Sequence, residues 1–118
     1  MNQQLESIFG SRSAALALLF LQNYGEGHVS RIAQTFSVPP TGIKRQLLRF
    51  ESRGLLVSRE VGRSRVFTWN PNSSTAKNLR GFLEVELEML PKEIQSKYFR
   101  QRQRPRRSGK PLGVKNEG

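Results

Sequence analysis

Apolar positions recur at helical spacing over most of the chain, and the places where that spacing breaks divide it into elements. Leu5, Ile8 and Phe9 stand at i, i+3 and i+4, which predicts a short helix ending at Gly10. Residues 11–24 then form a second helix, in which positions 14–21 read Ala-Ala-Leu-Ala-Leu-Leu-Phe-Leu. Such a helix is apolar on every side and has to be covered on every side. In a domain this small the chain's own core is expected to cover part of it, and a subunit contact through Leu16 and Phe20 the rest. Gly25 and Gly27 end the helix, and His28-Val29 is expected to form a short strand.

Residues 30–54 read as two short helices joined by a tight turn. Ser30 is placed to cap the first, whose apolar positions are Ile32, Ala33 and Phe36, and Ser37-Val38-Pro39 breaks the pattern. Pro40 suits the first position of the second helix, because its missing N–H would be unpaired there, and Gly54 suits the left-handed stop after Arg53. Ile43, Leu47 and Phe50 form the buried seam of that helix. Thr41, Lys44, Arg45, Arg49 and Ser52 turn away from it, a mixture of positive charge and hydrogen-bonding groups suited to a nucleic-acid groove. Two β-prone runs, 55–61 and 65–69, flank Gly62-Arg63-Ser64 and predict a hairpin with Arg59, Arg63 and Arg65 at or near its tip. After the polar turn 70–75, a helix over 75–90 places Leu79, Phe82, Leu83, Leu87 and Leu90 on one face, with Val85 and Met89 beside them. That stripe is wider than one packing surface, so Phe82, Val85 and Met89 join Leu16 and Phe20 as expected dimer contacts. Pro91 stops the helix, and residues 92–99 have room for one or two more turns anchored by Ile94, Tyr98 and Phe99.

The fold class this predicts is mainly α with a small β-hairpin. Composition changes the picture in two ways. The formal charge is +11, and it is unevenly spread: residues 1–91 carry 11 Lys and Arg against 7 Glu, and residues 92–118 carry 9 against 2. The chain is therefore expected to divide into a domain over 1–91 and a basic, disordered tail over 92–118. Arg102, Arg104, Arg106 and Arg107 of that tail are candidate phosphate contacts on a polyanionic partner. The second change comes from what is missing: Cys and Asp are absent, and His28 is the lone histidine. Disulfides, thiolate metal sites and the usual ligand sets for zinc, calcium or paired magnesium cannot be assembled from one chain, so no metal, no cofactor and no catalytic residue are expected. His28, beside a helix start, reads as a hydrogen-bonded structural residue. The longest apolar run is eight residues, 14–21, against the ~20 of a membrane span, and no basic leader precedes an apolar core. A cytoplasmic protein without a membrane partner is expected.

Ala33 in the first helix of the pair, Val38 in the turn, the proline-started helix running into Arg-Gly-Leu-Leu-Val, and the basic hairpin closed by Asn70-Pro71 together resemble the winged helix-turn-helix of ArsR-like bacterial and archaeal regulators, over roughly residues 5–90. Pro39 stands where that family usually has a capping Ser or Thr, and Ser37 where the turn often has Gly. The resemblance implies a non-metal-sensing regulator that binds double-stranded DNA as a homodimer through its first and last helices. Arg45 or Arg49 would then be the base reader, since arginine to guanine is the commonest specific pairing. An alternative is an antitoxin or adaptor whose main partner is a co-encoded protein, to which Glu84, Glu86 and Glu88 beside the apolar stripe would be suited. RNA binding is a third reading. The operator, the sense of regulation and any inducer have no signature in the sequence.

Overall fold

The computed structural model describes residues 2–100, which form six helices and a three-stranded antiparallel sheet. Asn2 caps α1 (Gln3–Phe9), its Oδ1 accepting from the amides of Gln4 and Leu5, and Gly10 closes the helix at φ 96°. Ser11 caps α2 (Arg12–Tyr24) by accepting from the Ala14 amide at 3.0 Å. Every residue from 14 to 21 is at most 3% exposed, because α2 touches α1, α3, α4, α5, β1 and β3. The expected subunit contact through Leu16 and Phe20 is thereby corrected. Six elements of the same chain wrap the helix, and neither side chain reaches the surface.

The sheet adds a strand to the hairpin. β1 is Glu26–Gly27, two residues earlier than the strand expected at His28-Val29, and pairs Glu26 with Thr68 and Gly27 with Phe67. A Cβ at Gly27 would lie 2.6 Å from the Phe20 ring, so only glycine lets this strand lie on α2. His28 is extended and is itself the cap of α3 (Val29–Phe36), its Nδ1 accepting from the Arg31 amide at 3.3 Å. Ser30, expected to cap, lies inside the helix. The imidazole acceptor follows directly after the strand, so the chain turns helical two residues sooner.

Ser37 ends α3 in the left-handed region, φ 55° and ψ 48°, where a non-glycine residue costs roughly 1–2 kcal/mol. In return the amides of Ser37 and Val38 reach the carbonyls of Gln34 and Ala33 at 3.2 and 3.0 Å. Pro39 gives no side-chain cap, and Pro40 opens α4 (Pro40–Ser52) at its first position. Ile43, Leu47 and Phe50 bury the inner face of α4, as the spacing predicts. Gly54 follows at φ 84°.

β2 (Leu56–Val61) and β3 (Ser64–Trp69) pair from Leu56–Trp69 out to Val61–Ser64, around a two-residue turn that begins with Gly62 at φ 61°. Asn70 closes the base, donating from its amide nitrogens to the carbonyls of Leu55 at 3.0 Å and Gly54 at 2.8 Å. Ser73 caps α5 (Ser74–Glu88), which buries Ala76, Leu83 and Leu87. Beyond Pro91 the packed structure continues. In α6 (Lys92–Tyr98), Gln95 Nε2 donates to the carbonyls of Leu87, Glu88 and Leu90 and so holds the corner after α5. Phe99 is fully buried, its ring 5.8 Å from that of Phe36, and Tyr24 Oη donates to the Tyr98 carbonyl at 2.7 Å. The segment read as a weakly anchored start of the tail thus seals the core against α2 and α3.

Candidate nucleic-acid interface

The outward face of α4 can be laid out residue by residue. At about 100° per residue, Thr41, Arg45, Leu48 and Ser52 fall within about 60° of one another, with Lys44 on one flank and Arg49 on the other. All six are exposed, while Ile43 and Leu47 opposite are fully buried. The seam that seats the helix on the core therefore also fixes which residues face out.

The cations on this side of the molecule fall into two groups. Arg49 is tied down: Nε donates to Gln46 Oε1 at 2.9 Å, Nη2 donates to the Phe9 carbonyl at 3.3 Å, and the guanidinium lies 4.6 Å from the centre of the Phe50 ring. Arg59 pairs with Glu26 at 3.0 Å. Arg65 donates to Ser58 Oγ at 2.8 Å and lies 3.4 Å from Glu60, and Ser58 in turn donates to Glu51 of α4. This Arg65–Ser58–Glu51 chain braces the hairpin against the helix. Ser52 Oγ donates to the Arg49 carbonyl at 2.8 Å. Lys44, Arg45 and Arg63, by contrast, make no hydrogen bond or ion pair with any of the described residues.

Two of these unpaired cations share a groove. Lys44 from α4, Arg63, Ser64 and Arg65 from the hairpin, and His28, Val29 and Ser30 at the start of α3 line an open depression of about 270 Å³. Ser30 also borders a second groove, of about 420 Å³, that runs between α3 and the start of α4 past Gln34, Ser37 and Pro40. Positive charge without a carboxylate partner, beside hydroxyls and a helix start, suits an anion with several oxygens such as a phosphodiester.

Of the residues singled out from sequence, the fold brings Lys44, Arg63 and Arg65 around one groove and leaves Thr41 and Arg45 exposed on the outward face of α4, the helix that supplies Lys44. Arg49 and Ser52 lie on the same helix but are engaged within the chain, and Arg59 is paired toward β1. Arg102, Arg104, Arg106 and Arg107 lie outside the described residues. Phe82 and Val85 on α5 and Met89 just past its end are exposed, and Ile8 of α1 is exposed too. Gln4, Leu5, Ser7, Ile8, Phe82 and Glu86 line a depression of about 440 Å³ between the two helices. The sequence reading missed Ile8 as a surface residue, because its spacing with Leu5 and Phe9 marks it as core. It also missed Leu48, which is 41% exposed at the centre of the α4 face. Among the described residues no three His or Glu side chains gather as a metal site, and no helix is long and apolar enough to cross a membrane.

No protein-family model matches the sequence, and no curated protein matches it. Solved structures do match its fold. The AntR antimony-specific transcriptional repressor superposes at a TM-score of 0.51 with 16% identity, over 73% of this chain and 77% of the other. Reduced AbfR bound to DNA superposes at 0.52 with 17% identity, over 86% and 75%. The MarR family transcriptional regulator SPO1453 from Silicibacter pomeroyi DSS-3 superposes at 0.54 with 17% identity, over 80% and 69%. At such identities the likeness is one of fold, and this chain has the winged helix-turn-helix fold of those regulators.

Proposed function

We propose that this chain is a sequence-specific transcriptional regulator that binds double-stranded DNA, with α4 in the major groove and the hairpin as its wing. The observation that carries the reading is the groove that Lys44 and Arg63, unpaired within the described chain, share with the start of α3, beside the exposed face of α4 that carries the equally unpaired Arg45. Arg45 is the base reader in this reading, with Thr41 beside it. Lys44, Arg63 and the start of α3 hold phosphates, and Arg65 and Arg59 set the wing's position while adding to its field. Arg102, Arg104, Arg106 and Arg107 add phosphate contacts that are indifferent to sequence. The DNA complex of AbfR, a protein of the same fold, supports duplex DNA as the partner.

The regulator acts as a homodimer in the cytoplasm. Phe82 and Val85 on α5, Met89 just past its end and Ile8 on α1 support the dimer, since they are large apolar side chains that the core leaves exposed. Ala33, Val38 and the proline-started α4 support an ArsR-like subtype without metal sensing, alongside fold neighbours that include a MarR family protein. The same apolar face, edged by Glu86 and Glu88, favours a second reading in which a co-encoded protein docks there and DNA binding is autoregulatory. Selection of genomic fragments by the purified full chain tests the main reading. A paired inverted motif is expected, and recovery of fragments without any shared motif would refute it.

A further inference from the structure

Leu48 is the apolar residue that the fold does not account for. Ile43, Leu47 and Phe50 seat α4 on the core without it. Its exposed apolar counterparts lie elsewhere: Ile8, Phe82, Val85 and Met89 on α1 and α5 or just past its end, and Val57 and Val61 on β2. Leu48 sits at the middle of the outward face of α4, about 20° from Thr41 and about 60° from Arg45, between two unpaired cations. An apolar side chain there faces water in the free protein and gains only when something apolar covers it. The one apolar group that a base pair presents in the major groove is the 5-methyl of thymine.

We infer that Leu48 is a specificity-determining residue that reads a thymine methyl next to the base pair read by Arg45. The inference rests on the DNA-binding reading above and deepens it. A half-site then contains a thymine whose methyl, and not its hydrogen-bonding edge, is recognised. Deoxyuridine keeps that edge and lacks the methyl, so it isolates the contact.

The experiment begins with the motif recovered by fragment selection. Each thymine of one half-site is replaced in turn by deoxyuridine, and affinity is measured for the wild type and for Leu48→Ala. At one position the wild type is expected to lose about fourfold, the equivalent of about 0.8 kcal/mol for one methyl-sized group. Leu48→Ala is expected to bind thymine and deoxyuridine equally there, while still preferring the motif through Arg45. Because Leu48 is outside the core, an unchanged thermal midpoint serves to show that Leu48→Ala is folded. A motif with no deoxyuridine-sensitive position would overturn the role of Leu48 and leave the DNA reading standing, as would effects of the protein and base changes that simply multiply. Failure to recover any motif would overturn both.

Discussion

Arg45 and Arg49 are neighbours on one helix with the same side chain, yet their surroundings predict opposite consequences for removal. Arg49→Ala deletes two hydrogen bonds, to Gln46 Oε1 and to the Phe9 carbonyl, and the stacking of the guanidinium on Phe50. The contacts are solvent-exposed, so each hydrogen bond is worth about 0.5–1 kcal/mol and the ring contact about 0.5–1 kcal/mol, and the 3.3 Å bond to Phe9 belongs at the low end. A total of about 1.5–2.5 kcal/mol in a domain of this size lowers the thermal midpoint by roughly 6–20 °C. Arg45→Ala removes no hydrogen bond, ion pair or ring contact within the described chain, and surface changes of that kind stay within about 0.5 kcal/mol. Its cost falls on DNA: about 1–3 kcal/mol of discrimination at one base pair, or roughly fivefold to 150-fold. Thermal unfolding followed by circular dichroism and titrations against single-base-pair variants of the selected site separate the two. Arg49→Ala should melt earlier and keep its base preferences, with affinity lowered evenly across sequences by the lost charge. Arg45→Ala should melt with the wild type and lose preference at one position. The reverse pattern, relaxed specificity in Arg49→Ala with an unchanged midpoint and intact specificity in Arg45→Ala, would refute the division of roles.

Three further outcomes follow from particular residues. Phe82→Glu combined with Met89→Glu puts two charges on the exposed apolar face of α5 and its end, and should turn a dimer into a soluble monomer in sedimentation equilibrium; a wild type already monomeric at micromolar concentration would dispose of the interface. Ser37→Gly relieves a left-handed residue at φ 55° and should raise stability by about 0.5–1 kcal/mol after the added freedom of the unfolded chain is subtracted, so a lower melting point would contradict the strain assigned to the turn. Removing residues 101–118 leaves Phe99 in the core and takes away Arg102, Arg104, Arg106, Arg107, Lys110 and Lys115. If about four of these touch phosphates, the slope of log K against log salt should become shallower by roughly 3–4 units with operator preference retained, and an unchanged slope would rule the tail out as a DNA arm.

The elements of this fold were legible because each is marked by a local period or a punctuating residue. Pro40 opening α4, Gly10 closing α1 and Gly62 turning the hairpin act within a few positions of where they stand. What covers an element is a different question. The run 14–21 announces that α2 has to be surrounded, but whether by its own chain or by a second copy depends on how many other elements reach it. Another contribution comes from the segment ending in Tyr98 and Phe99, which stands far along the chain at the edge of a strongly basic stretch, meets Tyr24 of α2 through the Tyr98 carbonyl and buries Phe99 against Phe36. Ile94, Tyr98 and Phe99 mark one or two anchored turns, but nothing in their spacing says that Phe99 is fully buried, and so the domain reads shorter than the packing makes it. Capping misled in a related way: the preference for Ser at a helix start pointed to Ser30, while the extended residue leaving β1 placed an imidazole acceptor two positions earlier.

For the interface, sequence supplied the charges but not their partners. A basic face is recognised by counting, and Thr41, Lys44, Arg45 and Arg49 share one helix face on spacing alone. Whether a cation is available to DNA depends on what it already holds. The acceptor that engages Arg49 is a backbone carbonyl 40 residues away, and because every residue has a carbonyl, that bond leaves no trace in composition. The pairing of Arg59 with Glu26 spans 33 residues and exists only because β1 joins the sheet beside β3, and β1, at two residues, is too short to show alternation. Arg65 and Glu60, five apart across a two-residue turn, could have been paired from the hairpin register. Subtracting the engaged arginines leaves Lys44, Arg45 and Arg63, and it is the loss of Arg49 from that set that exposes Leu48 as a central feature of the α4 face. A helix read only for its polar residues would be assigned two arginine readers. Read with its contacts, it presents one arginine and one leucine, which is a different prediction about the base pairs it selects.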